Sequence, residues 1–430
     1  MKPYLVFYGP IETFSGYGSR SRDLVKTLIE SNKYDIGIIS CRWGNTPFGF
    51  LQKDNQEHRK IIDKIIPGGQ ISTQPDIFIM NTIPSEFQPI GKYNIGVTAG
   101  IETTICDPSW IEGINRMNLT LVSSEHAKKV FEESTFEQRD KNTDQVVGIV
   151  KLEKEIQVLF EGLDTNIYKL TPSNKSEISN ILDSIEETFL FEFTGHWLQG
   201  DLGQDRKDVG MLIKTFLETF KGKGIKPGLV LKTSSATYSI MDREEILNKI
   251  NKIREFVGDD GTLPNVYLLH GELTDEEMNI FYNHPKIKVH ISFTKGEGFG
   301  RPLLEASVSQ KPIIVPQYSG YLDFLKYSIL IPGQLTQIHP SAVTKNMLIP
   351  ESSWFTINYG LAAEKMVDVY KNYKNYKNYT DNAKKQAYLS RTEFTLDKMS
   401  EKLISILDEK APKPIKLVLP KRIELPKINK

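Results

Sequence analysis

Two glutamates, Glu297 and Glu305, stand with seven residues between them in Lys295-Gly-Glu-Gly-Phe-Gly-Arg-Pro-Leu-Leu-Glu305. The segment follows the apolar run Ile287-Lys-Val-His-Ile291 and carries Gly296, Gly298 and Gly300. A strand that breaks into glycines and re-forms as a helix exposes backbone N–H groups, from which an anion can accept hydrogen bonds. Pro302 suits the first helical turn, where its missing N–H costs nothing. Glu297 then falls in the loop and Glu305 in the opening turns of the helix, one carboxylate on each side of an anion. Carboxylates accept hydroxyl hydrogen bonds well. The local chemistry is therefore that of a phosphate flanked by sugar hydroxyls, as in a nucleotide sugar. The plain alternative is an ordinary strand–loop–helix unit with surface glutamates, since one Gly-rich turn is weak evidence alone. Here the glycines, the proline and the preceding buried strand agree.

Cations come next. Arg206 and Lys207 open a predicted helix, where the helix dipole disfavours positive charge; a bound anion would offset that cost, and a solvated charge pair is the alternative. Lys232 closes the strand Leu229-Val-Leu-Lys232 and can face the same cleft or solvent. His196 sits in Thr194-Gly-His-Trp197, where a lone histidine is more often structural than a ligand contact. In Ser15-Gly-Tyr-Gly18, Gly16 and Gly18 permit close backbone approach, or form a simple strand-to-helix turn. Glu102 follows the strand Asn94–Thr98 in Thr98-Ala-Gly-Ile-Glu102, and its carboxylate can accept from a hydroxyl or serve the structure alone. Arg42-Trp-Gly-Asn45 follows the second strand and either shapes a pocket or packs structurally through Trp43. Asp259-Asp260-Gly261 reads as a turn. No Asp-x-Asp follows a strand, so no essential metal is expected.

Positioning these residues requires strands and helices in alternation. Tyr4–Tyr8, Asp35–Ser40, Asp76–Met80, Asn94–Thr98, Leu119–Ser123 and Ile156–Phe160 read as buried strands, with helices at Arg20–Glu30 and Glu125–Glu133. Near-continuous apolar strands between helices indicate a parallel sheet covered on both faces. A polar linker with a short helix, Thr171–Glu187, precedes a second series. Its strands are Phe189–Phe193, Gly228–Lys232, Val266–Leu269, Ile287–Ile291, Pro312–Val315 and Ser328–Ile331. Its helices are Lys207–Phe220, Glu244–Phe256, Asp275–Tyr282 and Arg301–Ser309. Further helices follow at Tyr359–Tyr370, Asp381–Leu389 and Thr395–Leu407. The expected organisation is α/β, with two doubly wound Rossmann-like domains facing across a cleft. Such sheets bind ligands at the carboxyl ends of their strands.

Length and charge agree with this. The 430 residues suit two or three domains. With 54 basic and 54 acidic residues, no global field steers the chain toward nucleic acid or membrane. Two cysteines, Cys41 and Cys106, build no disulfide framework. The first residues read as a strand, not a signal peptide, and no apolar run approaches the roughly 18 residues that span a bilayer. The expected location is cytoplasmic. A tripeptide repeat, Lys371–Tyr379, is too short to define an architecture. The basic, Pro-containing stretch 411–430 reads as an extended tail, with DNA or anionic lipid as a less common use.

These residues together resemble retaining glycosyltransferases of the GT-B fold, family 4 type. Glu297 to Glu305 followed by Lys311-Pro-Ile-Ile-Val-Pro316 looks like that family's E-x7-E segment. Ser15–Gly18, Val122-Ser-Ser-Glu125, Phe160-Glu-Gly-Leu-Asp-Thr-Asn-Ile-Tyr168, Arg206-Lys207 and Gly320 match in order. The resemblance covers roughly residues 1–410, and members encoded by tailed bacteriophages look most similar. It implies an acceptor-side domain at 1–168 and a nucleotide-sugar domain at 169–385. It also implies a helix at 386–410 packing back toward the first domain, before the tail. Glu297 would contact the donor sugar and Glu305 the ribose. Gly298 and the backbone N–H groups of Phe299, Gly300 and Arg301 would face the diphosphate, with Lys207 and Arg206 as the cations. Relatives often carry arginine where this chain has His196, and histidine where it has Glu102. The implied activity is retaining, metal-independent transfer from a UDP- or GDP-linked sugar, UDP-glucose for example, to a hydroxyl acceptor. No further cofactor is implied. A phage-type DNA modification on a hydroxymethylated base, in the host cytoplasm, is one alternative. An epimerase and a non-catalytic nucleotide-sugar-binding protein are others. The acceptor, as a glycan, lipid, small molecule or DNA base, and the oligomeric state stay open at this point.

Overall fold

The computed structural model describes residues 2–412, except 141, 173–175, 198–199, 201, 225, 236 and 374–376. The basic tail from 413 onward and the middle of the tripeptide repeat lie outside the described residues. The first domain contains β1 (Tyr4–Gly9), α1 (Gly16–Ser31), β2 (Asp35–Ser40), α2 (Gln56–Ile62), β3 (Ile77–Asn81), β4 (Tyr93–Thr98), α3 (Pro108–Asn115), β5 (Leu119–Val122), α4 (Glu125–Glu133), a hairpin of β6 (Phe136–Arg139) and β7 (Val146–Val150), and β8 (Glu155–Val158). Its six-stranded sheet is parallel, in the order β2-β1-β3-β4-β5-β8. Every residue of β3 and of β5 is buried, as a sheet covered on both faces requires.

The second domain runs through α5 (Glu177–Asp183), β9 (Leu190–Thr194), α6 (Val209–Phe220), β10 (Gly228–Lys232), α7 (Ile240–Val257), β11 (Val266–Leu269), α8 (Asp275–Asn283), β12 (Ile287–Ile291), α9 (Arg301–Ser307), β13 (Ile313–Pro316) and β14 (Ile329–Ile331). An antiparallel pair follows, β15 (Gly333–Gln337) and β16 (Ser353–Ile357), then α10 (Tyr359–Asn372), α11 (Lys377–Glu393) and α12 (Leu396–Lys410). The parallel sheet is ordered β11-β10-β9-β12-β13-β14. The chain walks outward from β9 to β11 and then returns to β12 on the other side of β9. That reversal sets the loops after β9 and β12 side by side, where open α/β sheets bind ligands. In the first sheet the same reversal falls between β1 and β3. The expected two doubly wound domains with trailing helices are what the chain forms.

Local sequence explains the element ends near the cleft. Ser15 caps α1 by accepting from the Gly18 N–H at 3.0 Å. Ser124 caps α4 by accepting from Ala127 N–H. Gly300 precedes α9 at φ 96°, a conformation that favours glycine. Pro302 lies in the first turn of α9, as its chemistry demands. The last helix returns to the first domain: Met399, Leu403, Ile406 and Leu407 of α12 are buried in one cluster with Leu24 and Leu28 of α1. Burying such side chains stabilises by roughly 2 kcal/mol each. Thr27 and Ser400 hydroxyls meet at 2.7 Å across the same contact. The pattern reading did not anticipate α2 and α3, the β6–β7 hairpin or the β15–β16 pair. The hairpin alternation is blurred because Val146, Val147 and Ile149 are all exposed apolar residues.

Candidate functional site

A cavity of about 520 Å³ lies between the two domains at the carboxyl ends of both sheets. Glu297 is on its wall, in the loop after β12. Lys207 Nζ is 2.5 Å from Glu297 Oε1, and Arg206 Nη1 is 3.1 Å from Oε2. Thr294 donates to Oε1 at 2.7 Å. Arg206 also donates to the Gly296 carbonyl at 2.8 Å and lies 3.4 Å from Glu102 Oε1. Two cations therefore face two carboxylates, one of them from the first domain.

The electrostatics follow from burial and pairing. Burial pushes the Glu297 carboxyl up, but Lys207 and Arg206 outweigh it and hold the pKa at about 2. Burial likewise opposes the charge on Arg206, and Glu102 and Glu297 reverse the balance, so it binds its proton more tightly than usual. For Lys207 burial wins and the pKa is lowered, with Glu297 offsetting only part. A further anion at this spot would relieve that cost. His196 lines the cavity with its Nδ1 3.3 Å from Ser234 Oγ, and burial followed by the Lys207 charge lowers its pKa. Lys232 also lines it, donates to the Gly271 carbonyl at 2.7 Å, and is lowered to about 8 by burial.

Glycines here serve a second purpose. A Cβ on Gly296 would sit 2.2 Å from the Glu102 carbonyl, and one on Gly298 would sit 2.3 Å from the Ala99 carbonyl. The loop after β12 is thus pressed onto the first-domain loop after β4. Ser124 fixes the contact by donating to the Gly298 carbonyl at 2.6 Å. Gly320 packs behind, its N–H donating to the Glu297 carbonyl at 3.0 Å. Phe299, Gly300 and Arg301 border the cavity. Among the described residues their backbone N–H groups have no acceptor.

Glu305 is placed differently. It is not among the cavity walls. Arg301 Nε is 3.1 Å from its Oε1, and Arg301 Nη1 reaches across the domains to Asp23 at 2.6 Å. Burial raises the Glu305 carboxyl to about 8, Arg301 opposing and Asp275 assisting. On the first-domain side, Gly16 lines the cavity with open space at its Cβ position. Gly18 does not line it; its close approach is to the Thr13 carbonyl of its own loop, 2.3 Å from a Cβ. Tyr17 donates toward or accepts from Thr98 at 2.9 Å and stacks on Trp43 at 3.9 Å, so Trp43 both packs and lines the cavity.

Arg20, Asn81 and Glu161 are among the lining residues that escaped the sequence reading. Arg20 donates to the Leu159 and Phe160 carbonyls at 2.6 and 2.8 Å, leaving its buried Nε without a partner among the described residues. Helical spacing from Gly16 held the signal, since residues i and i+4 share a face. Asn81 ends β3 at the first sheet's reversal, and its buried Oδ1 has no partner among the described residues. Glu161 lies in the quoted Phe160-Glu-Gly run, buried, with its pKa raised by burial. Among the described residues no group of three or more His, Cys, Asp or Glu is arranged to hold a metal ion. No described helix is long and apolar enough to cross a membrane.

No family model matches the sequence, and no curated protein matches it. Solved structures do. HepE of Anabaena, in complex with UDP and glucose, is 13% identical and has a TM-score of 0.58, covering 94% of this chain and 99% of its own. A glycosyltransferase of Rickettsia africae is 12% identical with a TM-score of 0.62, covering 95% and 98%. Sucrose-phosphate synthase of Thermosynechococcus elongatus is 10% identical with a TM-score of 0.61, covering 95% and 98%. At these identities the likeness is one of fold: two Rossmann-like domains across a cleft, the GT-B arrangement.

Proposed function

We propose that this protein is a glycosyltransferase that moves a sugar, with retention of anomeric configuration, from a UDP-linked donor to a hydroxyl acceptor. The observation that carries the reading is Glu297, ionised between Lys207 and Arg206 where the second sheet reverses, on the wall of the interdomain cavity. A similar fold, HepE, holds UDP and glucose. In the reaction, the bond between the anomeric carbon and the diphosphate oxygen breaks, and negative charge grows on that oxygen. Lys207 and Arg206 offset it, as preorganised cations do in a water-poor site. Glu297 orients them and accepts from donor hydroxyls. The acceptor hydroxyl, near Glu102, attacks the anomeric carbon from the side the diphosphate leaves. Its proton passes to the departing phosphate oxygen, so no protein nucleophile is needed and side-chain cations take the place of a metal. The glycine-lined contact between the domains keeps water from the donor.

Thermal shift against UDP-glucose and a GDP-sugar tests the donor, because a ligand of the folded state raises its stability. The expected result is a rise with UDP-glucose, followed by a product whose anomeric proton shows the donor's configuration by NMR. Absence of any nucleotide-sugar shift, or an inverted product, overturns the reading.

A further inference from the structure

A second, larger cavity of about 1260 Å³ opens beside the first and shares Ile101, Glu102, Arg206 and Met347 with it. Its floor is the start of α7 and the loop before it. Its roof is the segment between β15 and β16, which the second domain extends onto the first. Trp110 Nε1 donates to the Asn346 carbonyl at 2.8 Å, and Thr104 exchanges hydrogen bonds with Ser353 at 2.9 and 3.0 Å. The enclosure is therefore tied down on both domains and opens onto the atoms that surround Glu297.

Its lining has a definite chemistry. Of the described residues on its walls, Glu102, Asp205, Asp242, Glu244 and Glu245 are acidic, and Arg206 alone is basic. Arg206 is already paired with Glu102 and Glu297. Glu244 pairs with Arg243 and Glu245 with Lys249, each at 2.9 Å, and Asp242 meets His270 at 2.8 Å, but these partners lie off the walls. An anionic acceptor would therefore meet the carboxylates first, and the acids in the first turns of α7 oppose the pull of its N-terminus on anions. Asp205 is buried, and its Oδ2 has no partner among the described residues. A buried carboxylate oxygen without a donor is costly and calls for one from a ligand. At the mouth, Ile240 and Met241 are 80% and 83% exposed. Adjacent apolar side chains exposed to this degree at a cavity edge fit a partner with apolar faces. Hydroxyls for the acids and C–H faces for the apolar pair together describe a sugar ring.

Resting on the reading above, we infer that this side cavity is the acceptor site and that the acceptor is a neutral saccharide, its reactive hydroxyl reaching Glu102 and Arg206 through the shared opening. Duplex DNA carrying a hydroxymethylated base is disfavoured by the same wall charges. The test uses full-length protein with UDP-glucose as donor. Acceptors are neutral oligosaccharides of a few residues, glucose 6-phosphate and hydroxymethylated duplex DNA. The neutral oligosaccharides are expected to be glycosylated and the two anionic acceptors not. Ala342→Trp, which fills the cavity roof, is expected to raise the oligosaccharide KM about tenfold relative to the UDP-glucose KM, a loss of binding. A double variant, Glu244→Lys with Glu245→Lys, lies on exposed helix surface and keeps the test open if the tryptophan prevents folding. It is expected to lower oligosaccharide use. Preference for either anion by the wild type, undiminished oligosaccharide use by the folded double variant, or an unmoved KM in the folded Ala342→Trp protein overturns the inference. UDP-glucose binding is read separately by thermal shift in the wild type. Its failure overturns the donor reading and this inference together, whereas donor binding with an anionic acceptor overturns this inference alone.

Discussion

Glu297 and Glu305 belong to one short segment, yet they occupy opposite electrostatic regimes. Glu297 faces the cavity, where two cations outweigh burial and hold it ionised, at about 2. Glu305 turns into the domain interface, where burial outweighs Arg301 and lifts it to about 8, while Arg301 makes its closer contact to Asp23. Equal residue types in one short segment thus become one charged group aimed into the cavity and one group near neutrality at the contact between two domains.

Replacing each acid separates the two roles most sharply. Glu297→Gln is expected to lower kcat by about 10²–10³-fold, the size of losing a preorganised electrostatic partner. Glu305→Gln, which resembles the protonated acid, is expected to stay within about threefold at neutral pH. Circular dichroism should show both variants folded. Equal losses would mean that Glu305 meets the donor after all, as the family resemblance implies.

The next contrast concerns the glycines. Gly298→Ala brings a Cβ to 2.3 Å from the Ala99 carbonyl and must push the domains apart. It is expected to destabilise by about 1–3 kcal/mol and to weaken transfer. Gly16→Ala meets only open space, so its melting temperature should match the wild type within about 1 °C. Any change in its KM would then report contact with substrate.

A finer discrimination comes from pH. Glu297 has a folded pKa below its ordinary 4.5, so the unfolded chain binds more protons between the two values. Its stabilising contribution is full above 4.5 and is lost as pH falls through about 2. Glu305 has the opposite sign: its contribution is full below 4.5 and is lost as pH rises through about 8. Melting temperatures across this range should show the decline between pH 4.5 and about 8 flattened in Glu305→Gln and unchanged in Glu297→Gln. A decline that survives Glu305→Gln would assign it to another group.

The sheets were legible because their central strands are buried on both faces, so β3, β5, β10 and β12 appear in the sequence as bounded apolar runs. Glu297, Lys207 and Arg206 were legible because a loop at a sheet reversal keeps its chemistry in a few adjacent residues. The packing of Gly296 and Gly298 onto residues 99–102 was not, because a glycine needed for a ligand and one needed for a neighbouring backbone look alike. Nor was the tertiary partner that takes Arg301 away from Glu305, since Asp23 lies in the other domain. The β15–β16 pair was missed because exposed strands such as Gly333–Gln337 lack a buried apolar face to mark their period.

The helix Leu396–Lys410 has a consequence for how the protein is made. It fills part of the first domain's core, yet it is synthesised after the entire second domain. Domains usually fold as they emerge from the ribosome. Here the earliest-made sheet must wait, with Leu24, Leu28 and their neighbours uncovered, until the final helix has left the exit tunnel. The half translated first is thus the half completed last, and a nascent chain stalled within the second domain would present an apolar surface for chaperones to shield.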